Sequence, residues 1–168
     1  NRGKESIALD LKQEEDRAIL HRLLKRADVL IENFRPGTMA RLGFGPDALK
    51  QLYPQLIFAS TSGFGQTGPY ADRPAYDIIA QAMGGIMSIT GHEGGEPTRV
   101  GASIGDLGAG LFTALGIVSA LHHRNRSGEG ITVDVAMLDS QLALLENAIA
   151  RYYSSGKAPK PMGARHPS

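Results

Sequence analysis

Gln55-Leu56-Ile57-Phe58-Ala59-Ser60-Thr61-Ser62 reads as a strand, and it is the third in an alternating series. The strand before it is Asp28-Val29-Leu30-Ile31-Glu32-Asn33-Phe34. Its continuous apolar centre suits a buried parallel strand better than an exposed edge. Between the two, residues 38–52 read as one or two short helices, broken by Gly43-Phe44-Gly45-Pro46. Further back, Gln13 to Ala27 carries Ile19, Leu20, Leu23, Leu24 and Ala27 at helical spacing, with a polar opposite face. Ser6-Ile7-Ala8-Leu9-Asp10-Leu11 ahead of it reads as a short first strand. Strand–helix–strand–helix–strand in this order implies an α/β fold with a parallel sheet and flanking helices.

Downstream, a glycine-rich stretch runs from Gly63 to Gly110, interrupted by a helix over Asp77 to Met83. Leu107 to His122 reads as a long apolar helix, and Ser127-Gly128-Glu129-Gly130 as a turn. Ile131 to Val135 alternates in polarity like a strand, Met137 to Tyr152 is one amphipathic helix, and Ser154 to Ser168 is a connector. Three or four parallel strands are too few to close a doubly wound sheet on its first side. The chain starts at Asn1, runs almost at once into the first strand and stops at Ser168, so both ends read as cut.

The chain has 168 residues, no Cys and no Trp. Lys and Arg number 18, Asp and Glu 17, for a net charge of +1. That balance argues against a nucleic-acid partner, which calls for a basic excess or stripe. Without Cys, disulfides, thiolate catalysis and Cys-based zinc sites are excluded. No signal peptide opens the chain, and no run approaches the ~18 apolar residues of a membrane span. A cytoplasmic protein with no membrane partner is expected. Gly is the outlier, at 21 residues, well above the usual ~7%.

The chemistry narrows by elimination. There is no phosphate-binding P-loop motif. The five His residues have no metal-ligand spacing. His122 and His123 read as helix-end surface, and His21 as a solvated helix residue; His92, in a loop, is the one with catalytic interest. Carboxylates remain. Asp106 sits among small residues in Gly101-Ala102-Ser103-Ile104-Gly105-Asp106-Leu107-Gly108-Ala109-Gly110, ahead of the long helix. Two readings stay open for it. It can be the helix N-cap. It can also be a nucleophile kept ionised by the helix N-terminus and open to a bulky ligand. A second cluster, Glu32-Asn33-Phe34-Arg35-Pro36-Gly37 with Arg41, lies at a strand's carboxyl end, where open α/β sheets bind ligands. Asn33 offers an amide, Phe34 a flat face, and Arg35 and Arg41 a grip for phosphates. A surface strand end explains the same residues equally well. The third cluster is Arg73-Pro74-Ala75-Tyr76-Asp77, where Asp77 can be simply a helix-start residue.

Taken together the motifs resemble the family III CoA-transferases, the superfamily of formyl-CoA transferase, carnitine dehydratase and bile-acid-inducible protein F. The resemblance rests on Asn1-Arg2-Gly3-Lys4-Glu5-Ser6, Leu9-Asp10-Leu11-Lys12, Ala27-Asp28-Val29 and Glu32-Asn33-Phe34-Arg35-Pro36-Gly37. Further along it rests on Ser62-Gly63-Phe64-Gly65-Gln66-Thr67-Gly68-Pro69-Tyr70, Pro74-Ala75-Tyr76-Asp77, Ile89-Thr90-Gly91, Gly105-Asp106, and Gly128-Glu129-Gly130 leading into Val133 to Met137. The oxalate-using members look most similar.

The resemblance implies a Rossmann-like fold, with residues 1–152 as part of a CoA-binding and catalytic domain and 153–168 as the start of a linker to a smaller domain. It implies an interlocked homodimer, and acyl-CoA and a small carboxylic acid (oxalate, formate or succinate class) as substrates. Coenzyme A is then a substrate, and no cofactor is permanently bound. The nucleophile falls on Asp106. CoA contacts fall on Leu9, Asp10, Leu11, Lys12, Asn33, Phe34, Arg35, Arg41, Pro74, Ala75, Tyr76 and Asp77. In formyl-CoA transferase a Lys stands where Pro74 is, and a Glu often stands at Asp77. An α-methylacyl-CoA racemase is the alternative within the superfamily. It needs an acid–base pair, and Tyr76 stands where those members resemble a His; a phenol with pKa near 10 is a poor base at neutral pH. A non-catalytic CoA-binding fragment is the other alternative.

Overall fold

The computed structural model describes residues 2–166. Asn1 of the opening motif, and Pro167 and Ser168 of the expected connector, lie outside the described residues. The elements in order are α1 (Glu14–Leu24), β1 (Val29–Glu32), α2 (Thr38–Arg41), α3 (Pro46–Leu52), β2 (Ile57–Ser62), α4 (Asp77–Met83), α5 (Ile86–Ile89), α6 (Ile104–Ser127), β3 (Thr132–Ala136), α7 (Met137–Leu144) and α8 (Glu146–Ser155). The fold is α/β, as expected. All three strands are parallel, in the order β1-β2-β3. Val29 is opposite Ile57, and Phe58 is opposite Thr132.

Alternation along β2 divides the molecule into layers. Phe58 faces one side and joins a core with Leu24 of α1, Met39 of α2, Phe44, Leu49 of α3 and Leu56. Thr61 faces the other side, where its hydroxyl lies 2.7 Å from that of Thr113 on α6. Ala80 of α4, Ala109 of α6 and Met137 of α7 form a second, smaller core there.

Each helix has a local cause. Glu14, Glu15 and Asp16 occupy the first turn of α1, where the helix dipole favours negative charge. Pro46 opens α3, where its missing N–H costs nothing. Gly128 ends α6 at φ +79°, its N–H donating to the Arg124 carbonyl; the left-handed conformation suits glycine.

Five expectations need correction. β1 lies at the edge of the described sheet with Ile31 59% exposed, and is not the buried strand that its continuous apolar run suggested. Residues 6–11 form no strand. Asp10 instead makes a turn ahead of α1, whose N-cap is Gln13: its carboxylate accepts the Lys12 N–H, its carbonyl the Gln13 N–H, and its own N–H donates to Asp16. These local bonds displace a ladder. The helix expected over Met137 to Tyr152 is two helices. Leu145, with ψ at +19°, buries its side chain and breaks the helical run. His21 is half-buried, with Nδ1 2.7 Å from the Tyr53 hydroxyl and its ring 4.9 Å from that of Phe44. Lastly, α6 extends beyond Leu107 to His122 at both ends. By length and composition alone it is long and apolar enough to cross a membrane. In the fold it lies along β2 and β3, with Thr113 against Thr61 and Gly116 against Val133, while Gly105 faces α4, Gly108 faces α7, and Leu107, Leu111, Leu115 and Val118 are exposed.

Candidate active site

The carboxyl ends of the strands open into a cavity of about 570 Å³, a size typical of small-molecule sites. β1 contributes the turn Asn33 to Pro36 that follows it, and β2 contributes Thr61, Ser62 and the adjoining Gly63. Met137 lines it just beyond β3. The first two turns of α6 contribute Asp106, Ala109 and Gly110. Arg73, Pro74, Ala75 and Tyr76 form the remaining wall, with Tyr76 80% exposed. The seam between wall and sheet is tight. A Cβ on Gly63 would stand 2.4 Å from that of Ala75.

The structure settles which residue occupies the N-cap of α6. Ser103 is there, and Asp106 sits in the first turn. The cap bond comes from another helix. Asp77 of α4 accepts the Gly105 N–H at 2.8 Å through Oδ1, and Gln81 Nε2–H at 2.7 Å through Oδ2. Gln81 is fully buried and also accepts the Val100 N–H. Asp77 therefore locks α4 against the start of α6, with both carboxylate oxygens engaged. A Cβ at position 105 would lie 3.0 Å from Asp77 Oδ1, so glycine permits this approach.

This arrangement determines the electrostatics of Asp106. Its carboxyl is held above the ordinary range, chiefly by desolvation and secondly by the negative charge of Asp77. The sequence alone suggested the reverse, with the helix end favouring the ionised form. Asp77 takes one of the helix-end N–H groups and adds a like charge. A carboxylate of raised basicity is the better nucleophile once ionised.

The Asn33 to Pro36 turn is held from below. Glu32 is only 7% exposed. Its Oε2 accepts the Phe34 N–H at 2.9 Å, and its Oε1 accepts the Ser60 hydroxyl. Ser60 in turn accepts Gln66 Nε2–H at 2.6 Å, which ties the turn to the glycine-rich loop after β2. Asn33 donates its amide to the Thr61 carbonyl. Glu32→Ala should leave the buried Ser60 hydroxyl and the half-buried Phe34 N–H without their acceptor and cost about 2–3 kcal/mol. Glu32→Gln should cost less, because one acceptor oxygen survives. Urea unfolding of the two variants checks this; equal losses would contradict it.

Of the residues expected from sequence, Asp106, Asn33, Phe34, Arg35, Pro74, Ala75 and Tyr76 line this one cavity. Leu9, Asp10, Leu11, Lys12, Arg41 and Asp77 lie outside its lining. Leu11 packs on the core around Leu24 and Phe44, and Arg41 donates to the Thr38 hydroxyl. His92 is exposed in a loop outside the cavity, beside the tail: the Gly163 N–H donates to the Gly91 carbonyl, and Arg165 pairs with Glu93. Thr61, Ser62 and Met137 were not singled out from the sequence. Their signal was position, at the carboxyl ends of two strands.

The family model described as CoA-transferase family III matches residues 1–168. The chain is 56% identical over 168 residues to an acetyl-CoA:oxalate CoA-transferase of Acetobacter aceti, covering 99% of this chain and 43% of that protein. It is 46% identical over 168 residues to a succinate–glutarate CoA-transferase of Agrobacterium fabrum, covering 100% of this chain and 42% of that protein. Among solved structures, a CaiB/BaiF family protein from Brucella suis superposes with a TM-score of 0.95 at 46% identity, over 99% of this chain and 44% of that one. The chain thus spans less than half the length of these relatives.

Proposed function

The chain belongs to CoA-transferase family III, and we propose from this that it forms the nucleophile-bearing part of an enzyme that moves coenzyme A from an acyl-CoA to a small carboxylic acid. The observation that carries this reading is Asp106. It is a carboxylate of raised basicity at a helix start, in a cavity whose other charged groups are the guanidinium groups of Arg35 and Arg73. The oxalate, formate or succinate class of acceptor is favoured by the similarity to an acetyl-CoA:oxalate CoA-transferase.

In this mechanism the Asp106 carboxylate attacks the donor thioester carbonyl. The C–S bond breaks, and an aspartyl anhydride and CoA thiolate result. The thiolate attacks the Asp106 carbonyl carbon, the anhydride C–O bond breaks, and the donor acid leaves. An aspartyl-CoA thioester remains. The acceptor carboxylate then runs the two exchanges in reverse. One thioester replaces another, so no external energy source is required. Negative charge develops on carbonyl oxygens at each step, and backbone N–H groups at glycine-rich turns are suited to receive it. Both intermediates hydrolyse readily, so the working site must exclude water. We further propose that residues 153–168 lead into a smaller domain, and that the whole enzyme acts in the cytoplasm as an interlocked homodimer.

The test is direct. The full-length protein is incubated with acetyl-, formyl- or succinyl-CoA, quenched, and digested for mass spectrometry. The expected result is an acyl or CoA adduct on the peptide carrying Asp106. An adduct elsewhere would overturn the assignment. Exchange of α-deuterium into an acyl-CoA with no acceptor acid present would favour racemase chemistry instead.

A further inference from the structure

We propose that Gln81 is a positioning residue for the nucleophile: through Asp77 and the turn before α6, it keeps the Asp106 carboxylate out of its own helix cap. This deepens the CoA-transferase reading and rests on it. Ser103-Ile104-Gly105-Asp106, ahead of an apolar run, is the signature of a capping box. In such a box the N-cap hydroxyl accepts the N–H three residues on, and the side chain at that position accepts the N-cap N–H. Asp106 stands there, so its own helix end offers the nucleophile a partner. A carboxylate bonded in that way is withheld from a thioester.

The fold does not make this box. The Ser103 hydroxyl makes no cap bond, and the Asp106 carboxyl makes no hydrogen bond among the described residues. Gln81 accounts for both. It is fully buried within α4 and lies outside the lining of the cavity. Its Nε2–H donates to Asp77 Oδ2 at 2.7 Å and, more weakly, to the Ala102 carbonyl at 3.4 Å. Its Oε1 accepts the Val100 N–H at 2.8 Å. The first bond aims the other oxygen of Asp77 at the Gly105 N–H, 2.8 Å away. A carboxylate from α4 thus occupies the helix end and repels a second one. The other two bonds hold the segment that runs into α6. There the Ile104 N–H donates to the Ala102 carbonyl at 2.8 Å, and Ser103, at φ −74° and ψ 69°, is the centre of an inverse γ-turn. A capping residue needs an extended backbone instead. Without Gln81, Asp77 loses its anchor and the turn its brace. Asp106 is the acid in the first turn of α6, and it is then drawn to the vacated N–H groups.

The experiment uses the full-length protein. Gln81→Leu should lower kcat for CoA transfer roughly 5- to 30-fold, the factor that a helix cap of ordinary strength imposes, with KM for the acyl-CoA nearly unchanged. Ser103→Pro supplies a readout that a merely structural role would not move. It deletes the N–H that the box needs, and proline fits the Ser103 φ of −74°. Alone it should leave kcat near wild type. Added to Gln81→Leu it should recover most of the lost kcat. Where Gln81→Leu does not fold, Asp77→Ala decides by the same criteria, with and without Ser103→Pro, because Asp77 is only half-buried and its loss frees the Gly105 N–H directly. The proposal is overturned if the variant keeps wild-type kcat, if its loss falls on KM alone, or if Ser103→Pro recovers none of the loss. Failure of the CoA-transferase reading has its own signature, namely no CoA transfer by wild type. Crystal structures of the full-length wild type and variant then still decide the role of Gln81. The Asp106 carboxylate should lie within hydrogen-bond distance of the Ser103 nitrogen only in the variant, and an unmoved carboxylate overturns the proposal.

Discussion

Asp106→Ala should abolish CoA transfer, by roughly 10⁴-fold or more in kcat, the scale seen when a covalent nucleophile is removed. The adduct on its peptide should vanish with the activity. Unchanged turnover would sink the mechanism. Asp106→Asn should be equally inactive, and it carries a second, opposite expectation for stability. The Asp106 carboxyl is raised above its ordinary value in the fold. Between the ordinary and the raised value, the folded chain keeps a proton that the unfolded chain has released. Stability contributed by this group therefore falls as pH rises through that window, and stays reduced above it. At neutral pH the inactive Asn variant should melt higher than wild type. The gap should close as the pH falls toward and below the ordinary carboxylate value. A melting temperature that drops at neutral pH would show that Asp106 is a structural group.

Gly130→Ala should be the most destabilising single-methyl addition in the chain. Gly130 is buried at the entry to β3, and its N–H donates to the Pro54 carbonyl at 2.8 Å. A Cβ there would stand 2.2 Å from the Leu56 carbonyl oxygen and 2.7 Å from the Gln55 carbonyl carbon. Both are backbone atoms, which no rotamer change can move. β3 must shift away from β2, and the pairing of Phe58 with Thr132 opens. The expected cost is about 3 kcal/mol or more. Gly110→Ala is the control. It lies inside α6 with open space around its Cβ, and should be neutral or stabilising by up to about 1 kcal/mol. Urea unfolding separates the two; a Gly130→Ala midpoint equal to wild type would contradict the packing described above.

Legibility in the sequence followed the range of the interaction that decides each feature. β1 and β2 were readable because their apolar runs are continuous and bounded by Arg35-Pro36-Gly37 and Gly63. The helix over Asp77 to Met83 was readable to the residue. Residues 6–11 misled, since an alternating apolar segment looks the same whether or not a partner strand lies beside it. The break at Leu145 was invisible, because no Gly or Pro marks it and the burial of one leucine causes it. Near the site, Asp106 stood out through its small neighbours, whereas Thr61 and Ser62 looked like ordinary strand residues.

The sequence by itself determined the alternating α/β order, the exclusion of thiol chemistry, and the convergence on one carboxylate among glycines. These depend on residue type and short spacing, which survive without coordinates. Only the tertiary structure decided what state that carboxylate is in. Asp77 is 29 positions before Asp106 in the chain, yet it caps the helix that carries Asp106 and raises its basicity. The same holds for the excess of glycine. Composition could report 21 of them. Only packing showed that Gly63 and Gly130 are places where a wall and a strand come closer than a side chain would allow, and that Gly105 lets the Asp77 carboxylate approach α6 tightly.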